Sequence, residues 1–158
     1  MRITESVLVD AAPSDVWAVV TDLASHPRWR PALREFRQVS EGPLRVGAQI
    51  REVIEWRGRE IVLADEVMAL DPERRLAVRG GWKAADFELD MLLAPEGQGT
   101  IVTFDWVLHP KTLTMRLAAP FLRGTMRRST REEVEGLRAY VERGPEALAP
   151  PSGHASPG

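Results

Sequence analysis

A chain of 158 residues with 44% hydrophobic and 28% charged residues is long enough for one soluble globular domain, and it lacks an apolar run that would span a membrane. It has no cysteine, and His26, His109 and His154 form no paired metal-binding motif, so we expect no disulfide, metal or other cofactor. A formal net charge of −2 gives no reason to expect nucleic acid as a partner.

The N-terminal segment predicts a strand followed by two short helices. MRITESVLV lacks the pattern of a signal peptide, which makes the cytoplasm the default location, and residues 2–9 alternate as a strand does. Pro13 fits the first turn of an amphipathic helix that places apolar residues at helical spacing up to Leu23. We expect Ser25 to cap a second, shorter turn that precedes Trp29.

From Leu33 to His109 the pattern predicts about six consecutive antiparallel strands joined by tight turns. Arg57 and Gly58 form the clearest hairpin turn, and Asp71 opens another. The strand ranges that can be delimited are 46–56, 60–70, 74–82, 84–93 and 101–108.

The period becomes helical after Pro110 and remains so to about Gly144. The apolar stripe of this segment comprises Leu122, Met126, Val134, Leu137 and Val141. Pro120 is expected to bend the segment or to start the main helix after a shorter one. The proline- and glycine-rich residues 144–158 are expected to form a disordered tail outside a domain of residues 1–143.

These elements predict an α+β fold: a curved antiparallel sheet of about seven strands wrapped around a long C-terminal helix, with two short helices after the first strand. The last helix is the only long amphipathic element available to cover the apolar face of the sheet. Because a curved sheet cannot contact one helix along its whole inner face, we expect a cavity between them.

Three sequence stretches and the terminal helix carry a resemblance to a known superfamily. The stretches are APSDVWAVVTDLASHPRW, LDPERRLAVRG and LAPEGQGTIVTF. Together they resemble the START-like helix-grip (SRPBCC) superfamily over residues 2–143, and within it the polyketide cyclase/dehydrase-like group of small bacterial proteins. The resemblance implies the helix-grip fold, and either binding of a hydrophobic ligand or catalysis, because one fold hosts many functions.

Side chains of the central strands that are expected to face the helix are candidate ligand contacts: Trp82, Phe87, Leu89, Met91, Phe104 and Trp106. They would suit a hydrophobic small molecule such as a polyketide, lipid or isoprenoid. The alternative is that they form only the core. Trp29 is expected to cap the open end of the sheet. The alternative is that Trp29 and His26 line the cavity mouth and contact the ligand.

A cyclase, aromatase or dehydratase would need a polar group inside the cavity, and the candidates are Arg51, Glu66 and Arg79. Each would serve only if its strand phase points inward; otherwise it lies on the solvated face. His109, at the end of a strand, is a further acid or base candidate or a simple turn residue.

An arginine cluster on the terminal helix remains, formed by Arg123, Arg127, Arg128 and Arg131 and followed by Glu132, Glu133 and Glu135. Helical spacing predicts salt bridges from Arg128 to Glu132 and from Arg131 to Glu135 on an exposed face. The alternative is a protein-interaction module that uses this face for a partner protein, anionic lipid or RNA. An exposed strand edge also leaves room for a homodimer.

Overall fold

The structure, a computed structural model, describes residues 1–144 and contains seven strands and three α-helices. The strands are β1 (Arg2–Val9), β2 (Leu33–Gln38), β3 (Gln49–Trp56), β4 (Arg59–Asp71), β5 (Arg75–Trp82), β6 (Ala85–Glu96) and β7 (Gly99–Pro110). The helices are α1 (Pro13–Thr21), α2 (His26–Trp29) and α3 (Leu113–Arg143), with a 3₁₀ turn at Leu23–Ser25. The predicted fold class is confirmed. The tail predicted for residues 144–158 lies, except for Gly144, outside the described residues.

All seven strands form one antiparallel sheet in the order β1-β7-β6-β5-β4-β3-β2. β1 and β2 therefore form its two edges, and β2 carries a register shift between Leu33 and Glu35. The predicted hairpin between β3 and β4 turns at Arg57 and Gly58, with φ values of 51° and 74°. Positive φ at both central residues matches the right-handed twist of the paired strands.

The expected Ser25 cap is wrong, and so is one of the two alternatives for Pro120, the start of a second helix. Ser25 occupies the N-cap position of α2, but its hydroxyl donates to the Asp22 carbonyl at 2.7 Å instead of capping the helix. α3 is one continuous helix that contains Pro120, not a short helix followed by a longer one. Pro120 and Arg116 are both exposed, so water can satisfy the carbonyl that the missing N–H would have bonded.

The strand boundaries also differ in places from the sequence expectation. β3 begins at Gln49 and not at residue 46, whereas β1 has the expected bounds. The apolar face predicted for β6 is confirmed, with buried side chains at Phe87, Leu89, Met91 and Leu93. We call the face of the sheet that packs against α3 the inner face and the opposite one the outer face.

Trp29 lies in the main core, 2% exposed, where α2 packs against the sheet and α3. Its ring centroid is 6.1 Å from that of Phe104 and 4.5 Å from that of His26. The backbone of Trp29 also contacts α3 closely at Gly136, where an added Cβ would lie 2.1 Å from the Trp29 carbonyl oxygen. The loop before β2 is thereby fixed between sheet and helix.

The salt bridges predicted along α3 are not those observed among residues 1–144. Arg127 Nε lies 2.9 Å from Glu5 Oε1 and Arg131 Nε lies 3.3 Å from Glu5 Oε2, so these arginines bind β1 and not the next helical turn. Glu135 pairs with Arg138. Glu133, expected on the exposed face, is buried. No helix in this part of the chain is long and apolar enough to cross a membrane.

Candidate functional site

A cavity of about 220 Å³ lies between α3 and the inner face of the sheet. Its apolar wall is formed by Ile54, Trp56, Leu63, Trp82, Phe87, Trp106, Leu108 and Met126. It opens to solvent beside the exposed lining residues Glu55, Trp56 and Thr125. The expected cavity between sheet and helix is therefore present.

The inner end of the cavity is charged. Arg30, Glu52 and Glu133 line it, and all three side chains are buried. Arg30 Nη2 donates to Glu52 Oε1 at 3.3 Å, and Arg30 Nε lies 3.3 Å from Glu133 Oε1. The guanidinium of Arg30, the residue that follows α2, thus contacts one carboxylate on β3 and another on α3.

Arg30 is held from several sides. Its backbone N–H donates to the His26 carbonyl at 2.9 Å, which closes α2, and its guanidinium lies 5.5 Å from the ring centroid of Phe36. Burial by itself would lower the pKa of Arg30, but the carboxylates of Glu133 and Glu52 outweigh burial and raise that pKa. The arginine therefore remains the fixed positive charge of the cavity.

The histidine and glutamate neighbours of Arg30 respond to burial in opposite ways. Burial, reinforced by the nearby Arg30 charge, lowers the pKa of His26 to about 3, so His26 is neutral near pH 7. Burial raises the pKa of Glu133, and Arg30 only partly opposes this. Each shift follows from the cost of keeping a charge in a dry environment.

Asp65 is a further buried carboxyl beside this cluster. Neither of its carboxyl oxygens accepts a hydrogen bond within the described residues, although the side chain is buried. Burial, followed by the interaction with Glu52, raises the pKa of Asp65 to about 9. A protonated Asp65 can donate its O–H to Glu52, which satisfies a group that would otherwise be buried without a partner.

Gly80 makes the space for that carboxyl. A Cβ added at residue 80 would lie 1.9 Å from Asp65 Oδ1 and 2.8 Å from Phe87 Cζ. Any side chain at this position of β5 would displace the carboxyl or the aromatic wall. The sheet therefore accommodates a protonated acid next to Glu52 and close to the cavity.

The proton on Asp65 predicts that the free energy of unfolding depends on pH, and that Asp65→Asn reduces this dependence. The pKa of an aspartate in the unfolded chain is about 3.9. Between that pH and pH 9, the folded chain therefore holds a proton that the unfolded chain lacks. The free energy of unfolding should therefore fall as pH rises through this range, by up to about 1.4 kcal/mol per pH unit for one proton. Urea unfolding from pH 7 to 9 should show a shallower fall for Asp65→Asn.

Glu66→Gln is the matched control for this measurement, because Glu66 is the next residue and pairs with Arg79 on the outer face. Its stability should follow that of the wild type across the pH range. Parallel pH profiles for wild type and Asp65→Asn would contradict a proton on Asp65.

The six apolar candidates divide into two groups. Those that line the cavity are Trp82, Phe87 and Trp106. The ring centroids of Phe87 and Trp106 are 5.3 Å apart, within the range of favourable aromatic contacts. Those that lie in the main core and do not line the cavity are Leu89, Met91 and Phe104.

The three charged candidates do not reach the cavity. Arg79 Nη2 contacts Glu66 Oε2 at 3.0 Å, and Arg51 Nε lies 3.4 Å from Glu35 Oε1, all on the outer face. A role in the cavity required these side chains to point to the inner face. They point to the outer face, because the strand phase differs by one residue from the one required. The buried acids are the next residue on β3, Glu52, and the preceding residue on β4, Asp65.

The three remaining candidates also lie away from the cavity. His109 is in β7 and not in a turn, and its Nε2 lies 3.4 Å from Glu88 Oε1 on the outer face. His26 and Trp29 are buried in the core, and neither lines the cavity. The capping interpretation of Trp29 agrees with this placement.

Sequence reasoning missed the charged cluster, although part of its signal was present. Glu133 follows Met126 by seven residues and precedes Leu137 by four, so helical spacing places it on the apolar stripe of α3. A carboxyl group on a buried stripe calls for a buried cation or for a proton. Nothing in the local pattern identifies Arg30 as that cation, because the pairing depends on how α2 meets α3.

The seven-stranded sheet around a long C-terminal helix defines a helix-grip protein of the START-like class. The sequence profile of the family described as polyketide cyclase/dehydrase and lipid transport matches residues 1–142. The chain therefore belongs to that family. No curated protein matches the sequence.

Several solved structures share the fold. A protein of Thermus thermophilus is 17% identical with a TM-score of 0.77, over 90% of this chain and 98% of that one. A START superfamily protein of Mycobacterium smegmatis is 17% identical with a TM-score of 0.75, over 90% and 97%. The Zhui aromatase/cyclase of Streptomyces sp. R1128 is 17% identical with a TM-score of 0.72, over 90% and 94%. At these identities the similarity establishes the fold alone.

Proposed function

We propose that this protein binds a compact hydrophobic small molecule, with an aromatic or polyketide-like ring system, in the cavity between the sheet and α3. The observation that carries the proposal is a cavity with an aromatic wall that ends at a buried arginine and two carboxylates. Apolar walls supply affinity, and a few fixed polar groups set the orientation of a ligand. Trp82, Phe87 and Trp106 are the proposed ring contacts.

The size of the cavity restricts the ligand. Its volume of about 220 Å³ is below the range of roughly 300–1,000 Å³ that is typical of sites for drug-sized molecules. It exceeds the apolar cavity of about 150 Å³ that is known to hold benzene. One or two rings therefore fit better than a long lipid or isoprenoid chain, unless the open side of the cavity holds the remainder.

The charged end restricts the ligand further. Glu52 and Glu133 offer carboxylate acceptors, and Arg30 already donates to Glu52 through Nη2 and lies within ion-pair distance of Glu133 through Nε. A ligand with a hydroxyl or phenol group would donate to a free carboxylate oxygen, and Glu133 Oε2 has no partner among the described residues. The proposed ligand is therefore a phenol or a hydroxylated ring compound.

Acid–base catalysis of the cyclase, aromatase or dehydratase type is the second candidate function. The proton on Asp65 favours it, because Glu52 connects that carboxyl to the cavity. A protonated acid beside a fixed cation can protonate a leaving hydroxyl or polarise a ketone. The family description and the aromatase/cyclase with the same fold are consistent with this chemistry.

Calorimetric titration with 2-naphthol tests the binding proposal. We expect saturable binding at one site, and weaker binding of 2-methoxynaphthalene, which cannot donate a hydrogen bond. Thr125→Trp should weaken 2-naphthol binding at least about tenfold, because Thr125 lines the cavity at its exposed side and an indole there fills the entrance.

Thr114→Trp is the matched control, since Thr114 is also an exposed threonine of α3 but does not line the cavity. It should bind 2-naphthol as the wild type does. Equal affinity for Thr125→Trp and wild type, or no saturable binding of any one- or two-ring phenol, would contradict the proposal.

A further inference from the structure

The first two turns of α3 expose a line of large apolar side chains. Leu113, Leu117 and Phe121 are 71%, 67% and 87% exposed. Their spacing of four residues places them on one face of the helix. Surface hydrophobic residues that occur singly are common, but three in line on a helix indicate a surface that is covered in use. We call these three residues the exposed apolar line.

The charge of the same segment is entirely positive. Residues 111–131 contain one lysine and five arginines but no aspartate or glutamate, in a chain whose net charge is −2. Among residues 1–144, Arg127 and Arg131 pair with Glu5, whereas no ion pair there involves Arg116, Arg123 or Arg128. The helix therefore combines an exposed apolar line with cations that have no protein partner in the described chain.

Two of these cations, Arg116 and Arg128, lie close to the exposed apolar line. Arg128 follows Phe121 by seven residues and so continues the same face, and Arg116 follows Leu113 by three residues and so borders it. Arg123, two residues after Phe121, lies on another face of the helix, beside Arg2 and Thr4 of β1. The side chains of arginines are long enough to hold their guanidinium groups at a different depth from neighbouring apolar groups. Phenylalanine and leucine can thus enter an apolar layer while the guanidinium groups remain at its polar boundary.

We propose that the first half of α3 docks on an anionic lipid surface, with the exposed apolar line at the level of the acyl chains and Arg116 and Arg128 at the headgroups. Charge complementarity selects an anionic surface over a zwitterionic one. The combination of a phenylalanine and two leucines with a cationic border is the composition of helices that lie in a membrane interface.

The position of this line relative to the cavity supports the lipid surface over an acidic protein. Thr125 and Met126, one turn after Phe121, line the cavity, and Thr125 lies at its exposed side. A protein docked on the exposed apolar line would stand beside that opening. A bilayer in the same place offers the cavity a hydrophobic phase from which apolar molecules can enter.

Co-sedimentation with phosphatidylcholine vesicles, with and without phosphatidylserine, tests this docking. The full chain should bind the phosphatidylserine vesicles, and added salt should weaken the binding because it screens exposed charges. Replacing both Leu117 and Phe121 by serine should lower the partition coefficient at least about tenfold. Replacing both Arg116 and Arg128 by glutamate should lower it by a similar factor or more.

Matched controls come from exposed residues elsewhere. Val62→Ser with Met68→Ser removes two exposed apolar side chains of β4, and Arg59→Glu with Arg74→Glu reverses two exposed arginines near strand ends. Both double variants should bind vesicles as the wild type does. The double variant Leu117→Ser with Phe121→Ser should retain 2-naphthol binding, since neither position lines the cavity. A failure of docking can therefore be distinguished from a failure of ligand binding.

Three results would overturn the proposal. Equal binding to vesicles with and without phosphatidylserine would show that the protein does not recognise an anionic lipid surface. Unchanged binding of the Leu117 and Phe121 double variant would show that the exposed apolar line does not dock. A dimer in light scattering that this variant converts to a monomer, without vesicle binding by the wild type, would assign the face to a second copy of the chain.

Discussion

Arg30→Ala should destabilise the protein by about 3–5 kcal/mol near pH 7, the range observed when one partner of a buried ion pair is removed. Arg30 is the cation between Glu52 and Glu133, and both carboxylates are buried. Without it, the two carboxylates would face each other in a dry environment with no cation between them. Urea unfolding at pH 7 measures the loss directly.

The same variant should lose less stability at lower pH, because burial raises the pKa of Glu133 and its protonated carboxyl no longer needs a cation. Arg51→Ala is the control: Arg51 pairs with Glu35 on the outer face, and an exposed pair of this kind contributes about 0–1 kcal/mol. A loss below about 1 kcal/mol for Arg30→Ala would show that the cluster adjusts without its cation, and would remove the electrostatic basis of the proposed site.

Gly136→Ala should be destabilising although alanine is the better helix former. The added Cβ would lie 2.1 Å from the carbonyl oxygen of Trp29, and that atom belongs to backbone that cannot rotate away. α3 must then move from α2, at an expected cost of about 1–3 kcal/mol or more. Because Arg30 follows Trp29 directly, the ion pair with Glu133 should loosen as well.

Gly124→Ala provides a control in the same helix. No atom lies within 4 Å of a Cβ added at Gly124, so alanine there should stabilise the protein by about 0.5–1 kcal/mol through helix propensity alone. Thermal unfolding of the two variants should shift in opposite directions. A stabilising Gly136→Ala would mean that α2 and α3 are not in contact in solution.

Much of the fold follows from periodicity. β1 is delimited by simple alternation, and the β3–β4 turn by Arg57 and Gly58, because the rules that produce these elements act over a few residues. The continuity of α3 through Pro120 does not follow from such local rules. The effect of a proline within a helix depends on whether the lost hydrogen bond is exposed to water, which is a tertiary property.

The candidate site was only partly predictable, and the reason is strand phase. The aromatic wall at Trp82, Phe87 and Trp106 lies on the face that alternation favours. For β3 and β4, where charged residues occur at adjacent positions, alternation alone cannot tell Arg51 from Glu52. A shift of one residue moves every side chain to the other face, so the buried acids are the neighbours of the residues that were predicted.

The open sheet has one further consequence, which concerns solubility. β2, one of its two edges, is six residues long, carries a register shift and exposes Arg34 and Arg37 among its side chains. A long, flat, apolar edge would be a template for strand addition and aggregation. Charge, shortness and irregularity together make β2 a poor template, so this edge of the sheet resists extension by another strand.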